Sequence, residues 1–324
     1  MTSVAARART KELLKHEHHS PSPAKRRSRR RNLVGALLFL SPWILGFLIF
    51  TFWPIVYSAY LSLTDYDVIN DPNFVGLDNY ATMMDDPKIA LALSNTFIYT
   101  LLKVPAYMVL SLGLALLLDH AGRASGFFRT VFFLPKMTPP VAVGVMFLLL
   151  FNGQSGLVNA GLETIGINGP SWTTDPNWVK PGLVLMSLWT VGASVIILLA
   201  ALRNVPQDLY ESARIDGANF WQQTRHVTIP LISPTIFFLV IVNTIGALQS
   251  FDEAYTAFFG SGNTTYSNDA ALFYVIYLFQ QAFQFLHMGY ASALAWLLFL
   301  VIMVITGIQF VVSRRLVHYE GEAK

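Results

Sequence analysis

ESARIDGANFWQQTRHVTIP runs from Glu211 to Pro230 and lies between two long apolar stretches. Asn204 and Pro206 mark a helix start upstream, with proline in the first turn. The segment PQDLYESARI continues as a helix that exposes Glu211, Ser212 and Arg214. Gly217 stops it, as glycine does where the chain needs a positive φ. Asn219 followed by Gln222 has the pattern of a capping box and starts a second short helix, FWQQTRHVT. Pro230 marks the entry to the next apolar run. A plain connection between two spans takes a handful of residues, whereas this one takes about 25. The extra length predicts a helix–turn–helix knob that serves as a docking surface. A partner that moves the knob moves the flanking helices with it.

The rest of the chain sets that knob in a membrane. Of 324 residues, 54% are hydrophobic and 13% charged, about half the charged fraction of a soluble domain. Apolar segments at roughly 33–63, 92–119, 129–152, 181–203, 229–255 and 288–312 are each long enough to cross a bilayer, which takes about 20 residues. Lipid cannot satisfy backbone groups, so these segments must be helices. The expected fold class is therefore an all-α integral membrane protein with about six transmembrane helices. The first segment is too long for the apolar core of a signal peptide and no cleavage site follows it. Near-membrane positives gather on one side: Lys25, Arg26, Arg27, Arg29, Arg30, Arg31, Arg123, Arg129, Arg203, Arg214, Arg225, Arg314 and Arg315. Lys88 and Lys180 stand on the other. That imbalance predicts both termini inside, in the cytoplasm.

Residues 1–32 are basic, rich in Ala and Ser, and expected to be disordered. Attraction to anionic lipid explains the basic run. His16, His18 and His19 have one carboxylate, Glu17, among them and no scaffold to fix a metal geometry. The first outer loop, about 64–91, is acidic and carries Leu77, Tyr80, Met83 and Met84 at helical spacing, which predicts a short interfacial helix. Loop 153–179 is punctuated by Gly, Asn and Pro, and loop 256–287 contains GSGNTTYSND followed by a Tyr- and Phe-rich run. Lys136 lies near the inner end of its span and can snorkel. Lys103 is deeper and is the better candidate for facing a cavity.

Missing chemistry narrows the function. Asp119, Asp252 and Glu253 fall near span ends, so no mid-depth carboxylate is available as a proton relay, which counts against a proton-coupled carrier. No G-x-x-x-x-G-K-S/T cradles a nucleotide phosphate, and the Gly260-x-Gly262 fragment lacks a third glycine. The absence of Cys excludes disulfides and thiolate metal sites. Gly153-Gln154-Ser155-Gly156 resembles the GxSG of rhomboid proteases, with His287 far downstream, but a nucleophilic serine needs a base within hydrogen-bond reach. Turn chemistry explains Ser155 better. A membrane scaffold or receptor is the other rival, needing the knob and no cavity.

Glu211-Ser212-Ala213-x-x-Asp216-Gly217-Ala218, closing at Pro230, resembles the EAA loop of the permeases of binding-protein-dependent ABC importers. The family pattern is E-A-A-x-x-D-G-A followed by I-x-L-P. This chain has Ser212 for Ala, Ile229 for Leu, and polar Thr224 and Arg225 where sugar permeases often carry aromatics. SPWILGFLIFTFWPIVYSAYLSLTDYD, FVGLDNY, FFRTVFFLP, GLVN and GYASA are similar to the carbohydrate-type members of that family, such as the maltose, glycerol-3-phosphate and lactose permeases. The resemblance implies a type I importer half in a bacterial or archaeal cell membrane, with a permease domain at 33–315, its EAA loop at 204–230, and tails at 1–32 and 316–324. It implies a second homologous permease, a cytoplasmic ABC ATPase dimer and an extracytoplasmic solute-binding protein as partners, with membrane lipid around them and no nucleic acid. ATP and Mg would bind the ATPase, and this chain would hold no cofactor, metal or catalytic residue. Coupling to the ATPase is implied for Glu211, Ala213, Asp216, Gly217, Ala218 and Pro230. The family places sugar contacts on the helices flanking the loop, where Trp189, Thr190, Asn243, Gln249 and Ser250 have suitable chemistry. Each of these also has an ordinary role in gluing helices together.

Overall fold

The computed structural model describes residues 23–259 and 268–316; His16, His18, His19 and the Gly260-x-Gly262 fragment lie outside them. The chain falls into two units, 1–60 and 61–324. The first holds α1 (Pro23–Phe47), a π-helical turn (Leu48–Phe52) and most of α2 (Trp53–Leu61). The expectation of disorder through residue 32 is corrected, because α1 starts at Pro23. Proline suits a first turn, where its missing N–H has no partner to lose, and Lys and Arg are good helix formers. Within a helix, proline instead removes a bond and crowds the carbonyl four residues back. The π turn ending two residues before Pro54 opens the ladder where that crowding falls. Phe39, Trp43 and Phe50 are exposed, as lipid-facing side chains are.

The second unit opens with a two-stranded hairpin, β1 (Thr64–Asp65) and β2 (Asn73–Phe74), pairing Thr64 with Phe74. The predicted interfacial helix follows as α3 (Asp78–Asp85). It buries Met83 and half-buries Tyr80, whereas Leu77 and Met84 stay exposed. Helix α4 (Pro87–His120) is a continuous span capped by Asp86, whose carboxylate accepts the Lys88 N–H at 2.9 Å. A 34-residue helix is roughly 51 Å long, enough to cross with tilt.

The next two spans are not the single helices expected at 129–152 and 181–203. A 3₁₀ turn and α5 (Ser125–Phe133) lead through another 3₁₀ turn to α6 (Pro140–Leu150), with a 95° bend between the pieces. Pro139 and Pro140 cause it, because the residue before a proline is pushed out of the helical region and Thr138 is extended at ψ 131°. After α7 (Leu157–Thr164), α8 (Pro176–Leu188) and α9 (Gly192–Arg203) meet at a 53° bend. Helices α10 (Gln207–Ile215) and α11 (Phe220–Gln223) form the knob, and α12 (Ile229–Leu248) and α13 (Asp252–Phe258) make span five with a break at residues 249–251. The chain closes with α14 (Asn268–Ala271), α15 (Tyr274–Phe279), a π turn (Gln280–Gln284) and the last span, α16 (Met288–Leu316).

Two hydrophobic cores lie one after the other along α4. One gathers Tyr99, Phe147, Leu183, Phe258, Phe273 and Leu294. The other gathers Val104, Tyr107, Val195, Leu198, Ile232 and Leu239. Several buried polar groups pair across elements, which meets the cost of their burial. Asn95 donates to the Asp269 and Leu272 carbonyls, Thr96 Oγ1 accepts the Tyr274 N–H, and the Tyr274 hydroxyl donates to the Leu294 carbonyl.

Candidate functional site

The knob is built as a fixed body. Gly217 takes φ +80°, and its N–H donates to the Arg214 carbonyl at 3.0 Å while the Ala218 N–H donates to the Ala213 carbonyl at 2.9 Å. These two bonds make a Schellman stop for α10. The capping box is complete: Asn219 Oδ1 accepts the Gln222 N–H at 3.0 Å, and Gln222 Oε1 accepts the Asn219 N–H at 2.8 Å. Tyr210 and Thr228 join hydroxyls at 2.9 Å across the knob. Glu211, Asp216 and Gly217 are exposed, and Ala213, Ala218 and Pro230 are half-buried. Ile215 and Trp221 are 87% and 74% exposed, so the knob offers apolar as well as charged surface. Beneath it, a cavity of about 130 Å³ is bordered by Asp119, His120, Tyr210 and Arg214.

One expectation about the knob is corrected. Pro230 does not separate the second knob helix from span five. A π turn, Thr224–Thr228, carries α11 directly into α12, so one helix runs from Phe220 to Leu248. As at Pro54, the widened turn ends two residues before the proline, where the tighter ladder would clash.

Four of the five substrate-path candidates fall at interruptions of the spans, and Asn243 lies within α12. Trp189 and Thr190 occupy the bend between α8 and α9. Trp189 is half exposed and lines an apolar cavity of about 320 Å³ with Val143, Phe147, Phe151 and Met186. Thr190 donates to the Ser187 carbonyl at 2.9 Å, and its own carbonyl accepts the Tyr107 hydroxyl at 2.9 Å. Gln249, exposed, and Ser250, buried, occupy the break between α12 and α13. Asn243 donates to the Leu239 carbonyl of its own helix at 2.8 Å. Helices α9 and α12 pack together, yet among the described residues no hydrogen bond joins Trp189 or Thr190 to Asn243, Gln249 or Ser250. Lys136 is exposed. Lys103 lies over the Tyr99 ring, 5.2 Å from its centre, and Glu253 attracts it electrostatically. Glu253 was expected merely near a span end, and its reach to Lys103 comes from the break that lets α13 fold against the bundle.

A pocket at the N-terminal end of α4 escaped sequence reasoning. About 430 Å³ in volume, it is lined by Asp65, Tyr66, Asn79, Asp86, Gln281 and His287 among others. Asp86 accepts hydroxyls from Tyr277 and from Tyr290, the latter at 2.9 Å. Burial pushes the Asp86 carboxyl up, but the Tyr277, Lys88 N–H and Tyr290 donors outweigh it and hold the group below the ordinary range. The Asp-Pro pair before α4 is a legible capping signal; tyrosines 191 and 204 residues away are not.

The protease reading fails on geometry. Ser155 donates to Asn152 at 3.2 Å inside its own turn, and His287 Nδ1 pairs with Gln281 at 3.0 Å. Among the described residues, no group of three His, Asp or Glu side chains is placed to hold a metal.

Residues 108–318 match the family described as binding-protein-dependent transport system inner membrane component. The probable ABC transporter permease protein YesP of Bacillus subtilis strain 168 is 39% identical over 301 residues, covering 92% of this chain and 96% of YesP. The lactose transport system permease protein LacF of Rhizobium radiobacter is 35% identical, covering 87% and 94%. A crystal structure of a bacterial ABC transporter involved in the import of the acidic polysaccharide alginate superposes with a TM-score of 0.76 at 26% identity, covering 90% of this chain and 98% of that one. The helix breaks, the capped knob and these matches agree: the chain belongs to the binding-protein-dependent transport system inner membrane components and is a multi-pass permease subunit of an ABC importer.

Proposed function

We propose that this permease passes a sugar or oligosaccharide across a bacterial or archaeal cell membrane, forming half of the path beside a second homologous permease. A cytoplasmic ABC ATPase dimer binds ATP and Mg and supplies the energy, and an extracytoplasmic solute-binding protein delivers the cargo. Both termini lie in the cytoplasm, as the distribution of Lys and Arg supports. Relatives named for lactose and for arabinooligosaccharides support the cargo class, and a related importer solved with a pentasaccharide-bound periplasmic protein supports the delivery step. Glu211 and Asp216 meet the ATPase, and Gly217 holds the turn between the two knob helices. Ala213, Ala218 and Pro230 keep the knob packed on the bundle. Trp189, Thr190, Asn243, Gln249 and Ser250 border the path.

The observation that carries this reading is the unbroken helix from Phe220 to Leu248, which ties the knob to the path. Glu211→Lys and Gly217→Pro each test it in proteoliposomes holding the full transporter. Proline cannot adopt the φ of +80° found at Gly217. Both variants are expected to reach the membrane but to lose import and cargo-stimulated ATP hydrolysis. Wild-type import by either one refutes the coupling role of the knob.

A further inference from the structure

Lys103 sits at the middle of α4, about sixteen residues and roughly 25 Å from either end. The two cores divide at this point, with Tyr99 in one and Val104 and Tyr107 in the other. Tyr99, Lys103 and Tyr107 follow one another at four-residue spacing and so share a face of the helix. That face runs between two interruptions. On one side the Tyr107 hydroxyl closes on the Thr190 carbonyl in the α8–α9 bend. On the other, Glu253 acts on the ammonium from the first turn of α13, just past the break at Gln249 and Ser250.

No ion pair consumes the charge. Among the described residues the one pair within 4.0 Å is Arg203–Asp119, so Glu253 balances Lys103 from a distance without occupying its donors. An ammonium at this depth costs about 2.5–3.5 kcal/mol on insertion scales and faces water or a partner rather than lipid. A purely structural lysine would be closed off by a hydrogen-bonded carboxylate, since a buried charge without one is destabilising. Lys103 instead keeps part of its surface open.

We propose that Lys103 is a specificity-determining residue of the translocation path, binding an anionic group on the cargo, and that the cargo is an acidic oligosaccharide. The proposal rests on the reading that Thr190, Gln249 and Ser250 border that path. A lysine ammonium offers a compact charge with three donors, and a carboxylate takes such donors in short, charge-assisted bonds. The buried Tyr99 ring beneath the ammonium and the buried Tyr107, held by its hydroxyl on the Thr190 carbonyl, fix the helix face on which Lys103 stands. Glu253 limits how tightly the anion is held. Release suits a conduit, in which binding must favour entry without trapping the cargo.

The test uses the complete transporter in proteoliposomes, with a uronic acid trisaccharide and its carboxyl-reduced neutral counterpart as probes. The wild type is expected to import the acidic probe faster. Lys103→Met should lower the acidic-to-neutral import ratio at least tenfold, and Lys103→Arg should keep most of it. Methionine fills the same space without a charge, and co-purification with the partner subunits confirms assembly. Glu253→Gln provides an independent measure, since it removes the opposing charge and should lower the KM for the acidic probe. An unchanged ratio in Lys103→Met, or equal loss of both probes, overturns the role of Lys103 and leaves the sugar reading standing. Wild-type preference for the neutral probe does the same. Import of neither probe by the wild type overturns the sugar reading and this inference together.

Discussion

Gly192 opens α9 where that helix crosses the end of α5. A Cβ at this position would lie 2.0 Å from the Phe132 carbonyl oxygen, 2.6 Å from its carbon and 2.8 Å from Phe133 Cα. A carbon normally approaches a carbonyl oxygen no closer than about 3.3 Å, so Gly192→Ala must push two backbones more than an ångström apart. No rotamer change relieves the clash, because the obstructing atoms are main chain. Overpacking of this kind costs about 1–3 kcal/mol, sometimes more, and a shift of about 2 kcal/mol is roughly a thirtyfold change in the folded-to-unfolded ratio. The intrinsic helix preference for alanine opposes it by at most about 1 kcal/mol. Gly113, within α4, has nothing within 4 Å of the added carbon, so Gly113→Ala should be neutral or stabilising. Thermal unfolding of the purified complexes, followed by tryptophan fluorescence, compares the two. The expected order is Gly192→Ala below wild type, and wild type at or below Gly113→Ala. If Gly192→Ala melts with the wild type or above it, the close approach of α9 to α5 is not what fixes the 53° bend.

Asn243→Ala should slow import twofold to tenfold at limiting cargo, the range that about 0.5–1.5 kcal/mol of lost hydrogen bonding gives; the complex should remain assembled, because among the described residues Asn243 bonds within its own helix. Trp189→Ala should slow import likewise, with some thermal destabilisation from lost packing, and normal import by both variants would move the selective site elsewhere. The Asp86 carboxyl is held below its unfolded value, so its stabilisation is complete above about pH 4 and is lost as pH falls through the lowered value. The melting-temperature gap between wild type and Asp86→Asn should therefore shrink in acid, and a gap constant down to pH 3 would contradict the role given to its tyrosine donors. Because the chain has no cysteine, single cysteines report topology directly. One at Asn70 should react from outside and one at Asp216 only after permeabilisation, and the reverse pattern would invert the orientation.

The apolar runs, the knob and its two caps were legible because each depends on residues close together in sequence. Gly217 and the Asn219–Gln222 pair act within one or two turns, so their geometry is written locally. The bends were not legible from the apolar runs, which flank LPKMTPP and Trp189 to Gly192 on both sides without fixing an angle between them. Prolines announce a possible break, but the 95° angle depends on where α6 packs, and the second bend depends on Phe132, about sixty residues before Gly192. Pro230 misled for the opposite reason: a proline usually marks a boundary, but here a π turn absorbs it. The setting of Lys103, between Tyr99 and a glutamate about 150 residues away, exists only in the folded chain.

The helix from Phe220 to Leu248 has the proportions of a lever. Its roughly 29 residues form a rod of about 43 Å. With the knob end as fulcrum, a tilt of about 10° sweeps the far tip through roughly 7 Å, more than one helical turn of travel. Such a lever needs a compliant joint only at its distal end, at Gln249 to Phe251, where the helix breaks. A stroke begun at the knob would therefore arrive with little loss at the place where Gln249 and Ser250 stand, and stiffness along the rod, rather than shape at either end, would set how faithfully motion at one end is matched at the other.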